Sequence, residues 1–431
     1  MARRLLTATD MMKTRWFLML PLIAAACGEW SSPSTPAPTE LRSDKVRVTA
    51  PAISAGDAAA FANDNLAFAI HMHQALRASQ PDNFIFSQTS ISTALAMLYA
   101  GAETTTATEM ATALHFGLPA DQLHAAFNAL DLALTTPPAG SSADAFRLAI
   151  ANSIWLQDGF PALPSYLDTL ATNYGAGMFV EDFITDPEGA RHQINGWVSD
   201  RTEAQIPELF PKGAINDLTR LVLTNAVFFH GDWKTPFKHD ATANAPFHAL
   251  SGDVSVATMH GAHNAALWSG AGWSAAALDY VGDTTSMILV VPDAGTFDAF
   301  EEALSADGVS AILAGVQPSG GADLIMPKFK FETAVGLNDA LSALGMPEAF
   351  TEAADFSGID GRRDLAVQSV IHDAIIAVDE KGTTAAAATG ISVGTTSLPP
   401  TLVVDRPFLF FIRHNPTGAI LFQGRVVDPS K

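Results

Sequence analysis

Cysteine is almost absent from this chain: Cys27 is the single one in 431 residues. That excludes an intramolecular disulfide, a cysteine-rich zinc site and an iron–sulfur cluster, and leaves open only metal sites built from histidine and carboxylate. Positive charge is scarce as well. Against 45 Asp and Glu stand 24 Lys and Arg, a formal charge of −21. No basic run offsets it, so the surface repels a phosphate backbone and nucleic-acid binding is not expected. Nucleotide-binding motifs are missing too, with neither G-x-x-x-x-G-K-[ST] nor a G-x-G-x-x-G after a strand. The apolar run within Arg15–Ala26 is too short to span a bilayer.

What that run does offer is a targeting signal. RWFLMLPLIAAA follows basic residues, in the order of a secretory n-region and h-region. Met11 and Met12 precede Lys13, so either is a candidate natural start. The run ends at Ala24-Ala25-Ala26-Cys27-Gly28, which resembles a bacterial lipoprotein signal. There Cys27 is lipidated and tethers the protein to a membrane; ordinary cleavage after Ala26 is the alternative. We expect residues 1–27 to be a signal peptide and the protein to be extracytoplasmic, either secreted or a cell-surface or periplasmic lipoprotein. Residues 28–56, rich in Ser, Pro and Thr, read as a disordered spacer. From 57 to 431 the composition is globular without a break or repeat, so we expect one domain.

Along that domain, apolar spacing predicts helices over Asp57–Ala78 and Ser90–Tyr99. Short β-rich runs predict strands at Leu221–Phe229, Met287–Val291, Ile371–Val378, Thr401–Val404, Phe408–Arg413 and Ala419–Val427, with a turn at His414–Gly418. Helices dominate early and strands late, which favours α+β over a doubly wound sheet. Gly382–Val404 contains no charged residue. It holds Gly390-Ile391-Ser392-Val393-Gly394, a G-x-S-x-G followed by Asp405 and His414 in the order of a serine hydrolase. A nucleophile elbow needs a strand before the serine and a helix after it, and Pro399 and Pro400 oppose that helix. The hydrolase stands only as a rival reading. His71 and His73 are two apart on a predicted helix and face different ways, and His260 and His263 have no carboxylate pair nearby, so no metal and no cofactor is expected.

Several motifs taken together resemble one family, the serpins, over about Asp57–Pro429. Asn83-Phe84-Ile85-Phe86-Ser87-Gln88-Thr89-Ser90-Ile91 and the residues through Leu98 are similar to its N-x-x-x-S-P-x-S-I segment, with Gln88 in place of the Pro. Ile194-Asn195-Gly196-Trp197-Val198 and Thr202–Leu209 resemble its I-N-x-W-V helix, with Ala204 and Gln205 replacing Gly-Lys. Leu223–Phe237 resembles its central strand and the turn after it. Asp405–Arg413 and Gly418–Val426 resemble its closing strands. The resemblance implies helices around three β-sheets, one of them large and central, with an exposed reactive loop at about 380–400.

It also implies a function. Such a protein is a suicide-substrate inhibitor of serine proteases, not an enzyme, and acts as a monomer that traps its target covalently by inserting the cleaved loop into the central sheet. Counting along the loop places the attacked bond at Thr396–Ser397. Glu380, Gly382, Thr383, Ala385, Ala387 and Thr389 form the hinge; alternation in a strand sends Thr383, Ala385, Ala387, Thr389 and Ile391 into the core, and all are small or apolar. Asn83, Ser87, Ser90, Asn225 and His372 match the cluster that controls sheet opening, and Trp233 with a Lys328–Glu380 pair matches the loop entry. Small residues around Thr396 suit elastase-like or subtilisin-like pockets. A non-inhibitory serpin that serves as a binding or structural protein is the alternative.

Overall fold

The computed structural model describes residues 37–136, 145–316, 321–383 and 400–431, the side chains of 262–264 excepted. In chain order the strands are β1 (Thr39–Leu41), β2 (Phe84–Phe86), β3 (Phe146–Gln157), β4 (Met178–Glu181), β5 (Leu221–Asp232), β6 (Ala243–Ala249), β7 (Gly252–Gly270) and β8 (Trp273–Asp279). They continue as β9 (Thr285–Pro292), β10 (Ala322–Pro327), β11 (Phe329–Gly336), β12 (Ser369–Val378), β13 (Gly382–Thr383), β14 (Thr401–Val403), β15 (Phe408–His414) and β16 (Ile420–Val426). The helices used below are α1 (Ala55–Ser79), α2 (Gln88–Tyr99), α3 (Thr104–Ala113), α4 (Ala120–Thr135), α5 (Pro164–Tyr174), α6 (Pro187–Arg201), α7 (Phe297–Glu302) and α8 (Ala306–Ala314).

Helix starts follow capping chemistry. The Ser54 hydroxyl accepts from the Asp57 amide, which begins α1 two residues before its expected start. Ser87 does the same for α2 by accepting from Ser90 N–H at 3.2 Å, so Gln88 takes the first helical position. An amide there has no intrahelical partner in any case, and replacing a proline by Gln88 leaves the helix start intact.

The central sheet runs in the order β1-β4-β3-β5-β13-β12-β11. The other strands form one ladder, β14-β10-β7-β8-β9-β15-β16-β2, with β6 on β7. The three sheets expected are present, and the second and third are joined into one ladder because the long strand β7 pairs with β6 and β10 along its first part and with β8 along its last. The core fills the space between the ladders. Val227 and Phe229 of β5 and Ala374, Ile376 and Val378 of β12 pack with Leu289, Phe408 and Phe410 from the second ladder. On the opposite face of the central sheet, Ile194 and Val198 of α6 cover Ala151, Trp155, Val222 and Ala226. Mixed helices and sheets in this arrangement are α+β.

The spacer expected through residue 56 needs correction over its described part. Thr39–Leu41 pairs antiparallel with Met178–Val180 as an edge strand. Beyond it, Arg47 donates to Asn128 at 2.9 Å and pairs with Asp131 at 2.6 Å, and Val48 N–H reaches the Thr172 carbonyl. A polar segment can pack in this way because backbone groups, the Ser43 hydroxyl and the guanidiniums of Arg42 and Arg47 supply most of its contacts.

Candidate functional site at the seam of the central sheet

β5 and β12 lie side by side and parallel from Val222↔Ser369 to Phe228↔Ile375. Above that seam the two strands part, and β13 fills the gap antiparallel to both. Gly382 pairs with Asp232, and Thr383 with Gly231 on one side and Val378 on the other. Gly382 is a matter of room. Its backbone is not left-handed, and a Cβ there would overlap the carbonyl oxygen of Gly231. Close approach of neighbouring backbone, rather than conformational freedom, is therefore the reason for a glycine here. Thr383 is 1% exposed, and its hydroxyl meets that of buried Tyr280 at 2.8 Å.

The entry around β13 is tied from several directions. The Trp233 ring, fully buried, stacks on Tyr280 and donates its indole N–H to the Asp379 carbonyl at 3.0 Å. Backbone N–H groups of Trp233 and Phe237 bond the carbonyls of Lys381 and Glu380 at 2.7 Å each. Lys328 and Glu380 form the ion pair at 2.8 Å, and Thr242 donates to the same carboxylate at 2.7 Å. Burial alone would raise the pKa of Glu380, yet the donors Lys328 and Thr242 outweigh it and hold it below the usual value.

Lower in the seam lies a buried polar cluster. Asn225 and His372 face each other across paired residues of β5 and β12, and His372 Nδ1 bonds Asn225 Oδ1. His372 Nε2 accepts from the Ser87 amide at 3.1 Å. One ring nitrogen accepts, so Nδ1 carries the proton and the imidazole is neutral; burial pushes its pKa down to about 3. Asn225 Nδ2 donates to Ser90 Oγ at 2.9 Å and to Asn152 Oδ1 at 2.7 Å, and Ser90 Oγ donates to Asn152 Oδ1 at 2.9 Å. The network therefore stitches α2, β3, β5 and β12 together at one depth.

Asn83 does not join it. Its side chain donates to the Asp428 carbonyl at 2.7 Å and accepts from the amides of Val427 and Asp428, fastening the chain before β2 to the end of β16. Asn152, Tyr280 and Thr242 were missed. A polar Asn between the apolar stretches Leu148–Ala151 and Ile154–Leu156 of β3 was the available signal for the first; the other two act only through contacts between distant segments. Ala385, Ala387, Thr389, Ser392, Thr396, Ser397 and Cys27 lie outside the described residues. Of the hydrolase partners, the Asp405 carboxylate accepts from Arg406 and His414 Nδ1 bonds the Thr417 hydroxyl, so the two are engaged elsewhere. His73 is buried against Glu301 at 2.9 Å, while His71 meets His115 at the surface. Among the described residues no His, Cys, Asp and Glu group could hold a metal ion, and no helix is long and apolar enough to cross a membrane.

A family model described as Serpin (serine protease inhibitor) matches residues 63–429. The chain belongs to the serpin family. An uncharacterized serpin-like protein of Thermococcus kodakarensis is 34% identical over 404 residues, 93% of each chain. Leukocyte elastase inhibitor of Homo sapiens is 34% identical over 381 residues, 85% of this chain and 98% of that one. Among solved structures, the thermophilic serpin tengpin in its native state has a TM-score of 0.80 at 24% identity, over 91% of this chain and 100% of the other. The serpin fold is thus shared, and the seam between β5 and β12 is its central feature here.

Proposed function

We propose that this serpin is an inhibitory one, a suicide substrate for serine endopeptidases that accept small residues, of the elastase-like or subtilisin-like kind. The observation that carries the proposal is the placement of Gly382–Thr383 between β5 and β12, at the head of the seam along which those two strands would separate to admit more strand. Extending the same antiparallel register gives every following residue a partner. Ala385 comes level with Phe229 and Ile376, Ala387 with Val227 and Ala374, Thr389 with Asn225 and His372, and Ile391 with Leu223 and Val370, continuing the pairs already formed. All eight neighbours are buried. Side chains that are small or apolar enter such sites without stranding a charge.

The energetics favour insertion once the loop is cut. The parallel seam is replaced by two antiparallel ladders, which are somewhat stronger per residue, and apolar side chains leave water at about 25 cal/mol per Å². Before the cut, the loop is held at both ends and cannot follow this register to the far end of the sheet. The protease serine attacks the Thr396 carbonyl, the amine of Ser397 departs, and Thr396 remains as an acyl ester. Insertion down to Ser369 then lays about nine more residues into the sheet, on the order of 30 Å at about 3.3 Å per residue, and draws that ester along before water hydrolyses it. The chain itself catalyses nothing.

Target class rests on Thr395, Thr396 and Ser397, which offer neither a basic nor an aromatic residue to a specificity pocket, and on the relative named leukocyte elastase inhibitor. The same reading places a monomer outside the cytoplasm of a bacterium, with Cys27 as its lipid tether; labelling with radioactive palmitate, abolished by Cys27→Ser, tests that. The inhibitory mechanism is tested by mixing the protein with pancreatic-type elastase and with subtilisin on denaturing gels. An SDS-stable complex and a released peptide beginning at Ser397 are expected. Cleavage without a complex by every serine protease tried overturns the proposal.

A further inference from the structure

On the outer face of β12, Asp373 lies between Ile371 and Ile375, which pack against the apolar cluster beneath α6. That cluster holds Ile194 and Val198 of α6 and Ala226 of β5, and Ala226 is the residue paired with Asp373 across the seam. Asp373 is 2% exposed, and its buried Oδ1 has no hydrogen-bond partner. Toward β11 it pairs with Ala334, and the exposed Glu332 brings a second carboxyl against it. Burial and this like charge push the Asp373 pKa up to about 7. No cation offsets them. Arg191 of α6 pairs with Glu188 and Glu208, and Arg201 lies over the Trp197 ring. Lys330 of β11 is exposed, and His230 of β5 sits 3.5 Å from Asp232.

The register proposed for the cleaved loop changes these surroundings. The inserted strand meets Asp373 with Ala388, continuing the Val378↔Thr383 pair, and β12 stands one strand spacing, about 4.8 Å, further from β5. Helix α6 does not follow β12, because the strand residues it covers most fully, Ala151, Trp155, Val222 and Ala226, belong to β3 and β5.

We propose, on the inhibitory reading above, that loop insertion draws Asp373 from beneath α6 and releases to solvent the proton it shares with Glu332, so that the trap closes more readily as pH rises toward neutral. The sign follows from linkage. Between the ordinary carboxyl range and about pH 7 the intact form holds one more proton than the inserted form, so each unit of rising pH favours insertion by up to about tenfold.

Guanidinium unfolding from pH 5 to 8 tests this on the intact protein and on the form cut once within residues 384–399 by a protease it does not trap, each as wild type and Asp373→Asn. Taking the ratio of wild-type to variant unfolding constants at each pH cancels every other titrating group. In the intact form a raised folded pKa gives stability that is lost as pH rises through about 7. The ratio should therefore climb about tenfold per unit between pH 5 and 7 and level off above, and in the cut form it should stay constant. An equal climb in both forms means that the proton is kept on insertion, and a flat ratio in both means that Asp373 titrates as an ordinary carboxyl; either result overturns the proposal. Should Asp373→Asn fail to fold, Glu332→Gln at its exposed position should move the levelling-off of the intact form to lower pH, and an unmoved profile counts against the pair. A cut that raises the wild-type midpoint at no pH is instead a failure of the inhibitory reading, seen before any variant is made.

Discussion

Strand β5 has two edges, and they are built differently. Toward β3 it pairs antiparallel without interruption from Gly231↔Phe146 to Leu221↔Leu156. Toward β12 it pairs parallel, from Val222 to Phe228 only, with a wedge above and a polar cluster in the middle. The first edge joins consecutive strands of the central sheet through a complete ladder. The second is short, of the weaker hydrogen-bonding type, and carries the buried Asn225–His372 cluster at its middle. The loop insertion proposed above requires the sheet to part, and the second edge is the one with fewer and weaker bonds.

The largest effect follows from putting a charge into the wedge. Thr383→Arg sets a guanidinium against Tyr280 at a position 1% exposed. Burying that charge costs several kcal/mol, enough to delay insertion until hydrolysis wins. The stoichiometry of inhibition, titrated against elastase or subtilisin, should rise by about tenfold or more, with Thr383→Ser retaining the wild-type value.

Acid should weaken the seam next. His372 has a folded pKa of about 3 against an ordinary value near 6.5. Folding therefore favours the neutral ring: the contribution is complete above about pH 6.5 and falls by about 1.4 kcal/mol for each unit as pH drops toward 3. Buried His124, pushed down to about 4, adds to the same trend. Urea unfolding between pH 7 and 5 in wild type and His372→Gln should differ in slope by about one proton. Equal slopes would mean the ring titrates normally.

A smaller effect distinguishes the cleaved from the uncleaved state. Thr389→Val removes the hydroxyl that the extended register sets between Asn225 and His372. The loop-inserted form should lose about 1 kcal/mol and the intact form nothing, by unfolding of each. Smallest is the entry pair. Lys328 is 34% and Glu380 13% exposed in their side chains, and Thr242 still serves the carboxylate when the lysine is gone. Lys328→Met should cost under about 1 kcal/mol in urea unfolding at pH 7.

The contrast between the two edges also explains what was legible in the sequence. Strands β5, β12, β15 and β16 were readable because apolar, β-branched runs declare themselves locally, and β5 simply runs on to Asp232. Ser87, Ser90 and Asn225 were readable through their motifs, and His372 through the cluster that the family resemblance implies. Asn83 sits in the same motif but points to the chain's end, since adjacency along the chain does not fix which partner a side chain meets. Asn152, Tyr280 and Thr242 matter only through segments far away in sequence. The Thr39–Leu41 strand carries no alternation, being three residues on a sheet edge, and so reads as spacer until its partner β4 is seen.

The central claim is that the cleaved loop completes the sheet between β5 and β12. Its most direct test is thermal unfolding of the protein before and after a single cut within residues 384–399 by a protease that the serpin does not trap. Insertion predicts that the cut chain unfolds tens of degrees higher, because a few kcal/mol already moves a midpoint by several degrees and a whole strand adds far more. An unchanged or lowered midpoint after the cut would contradict it.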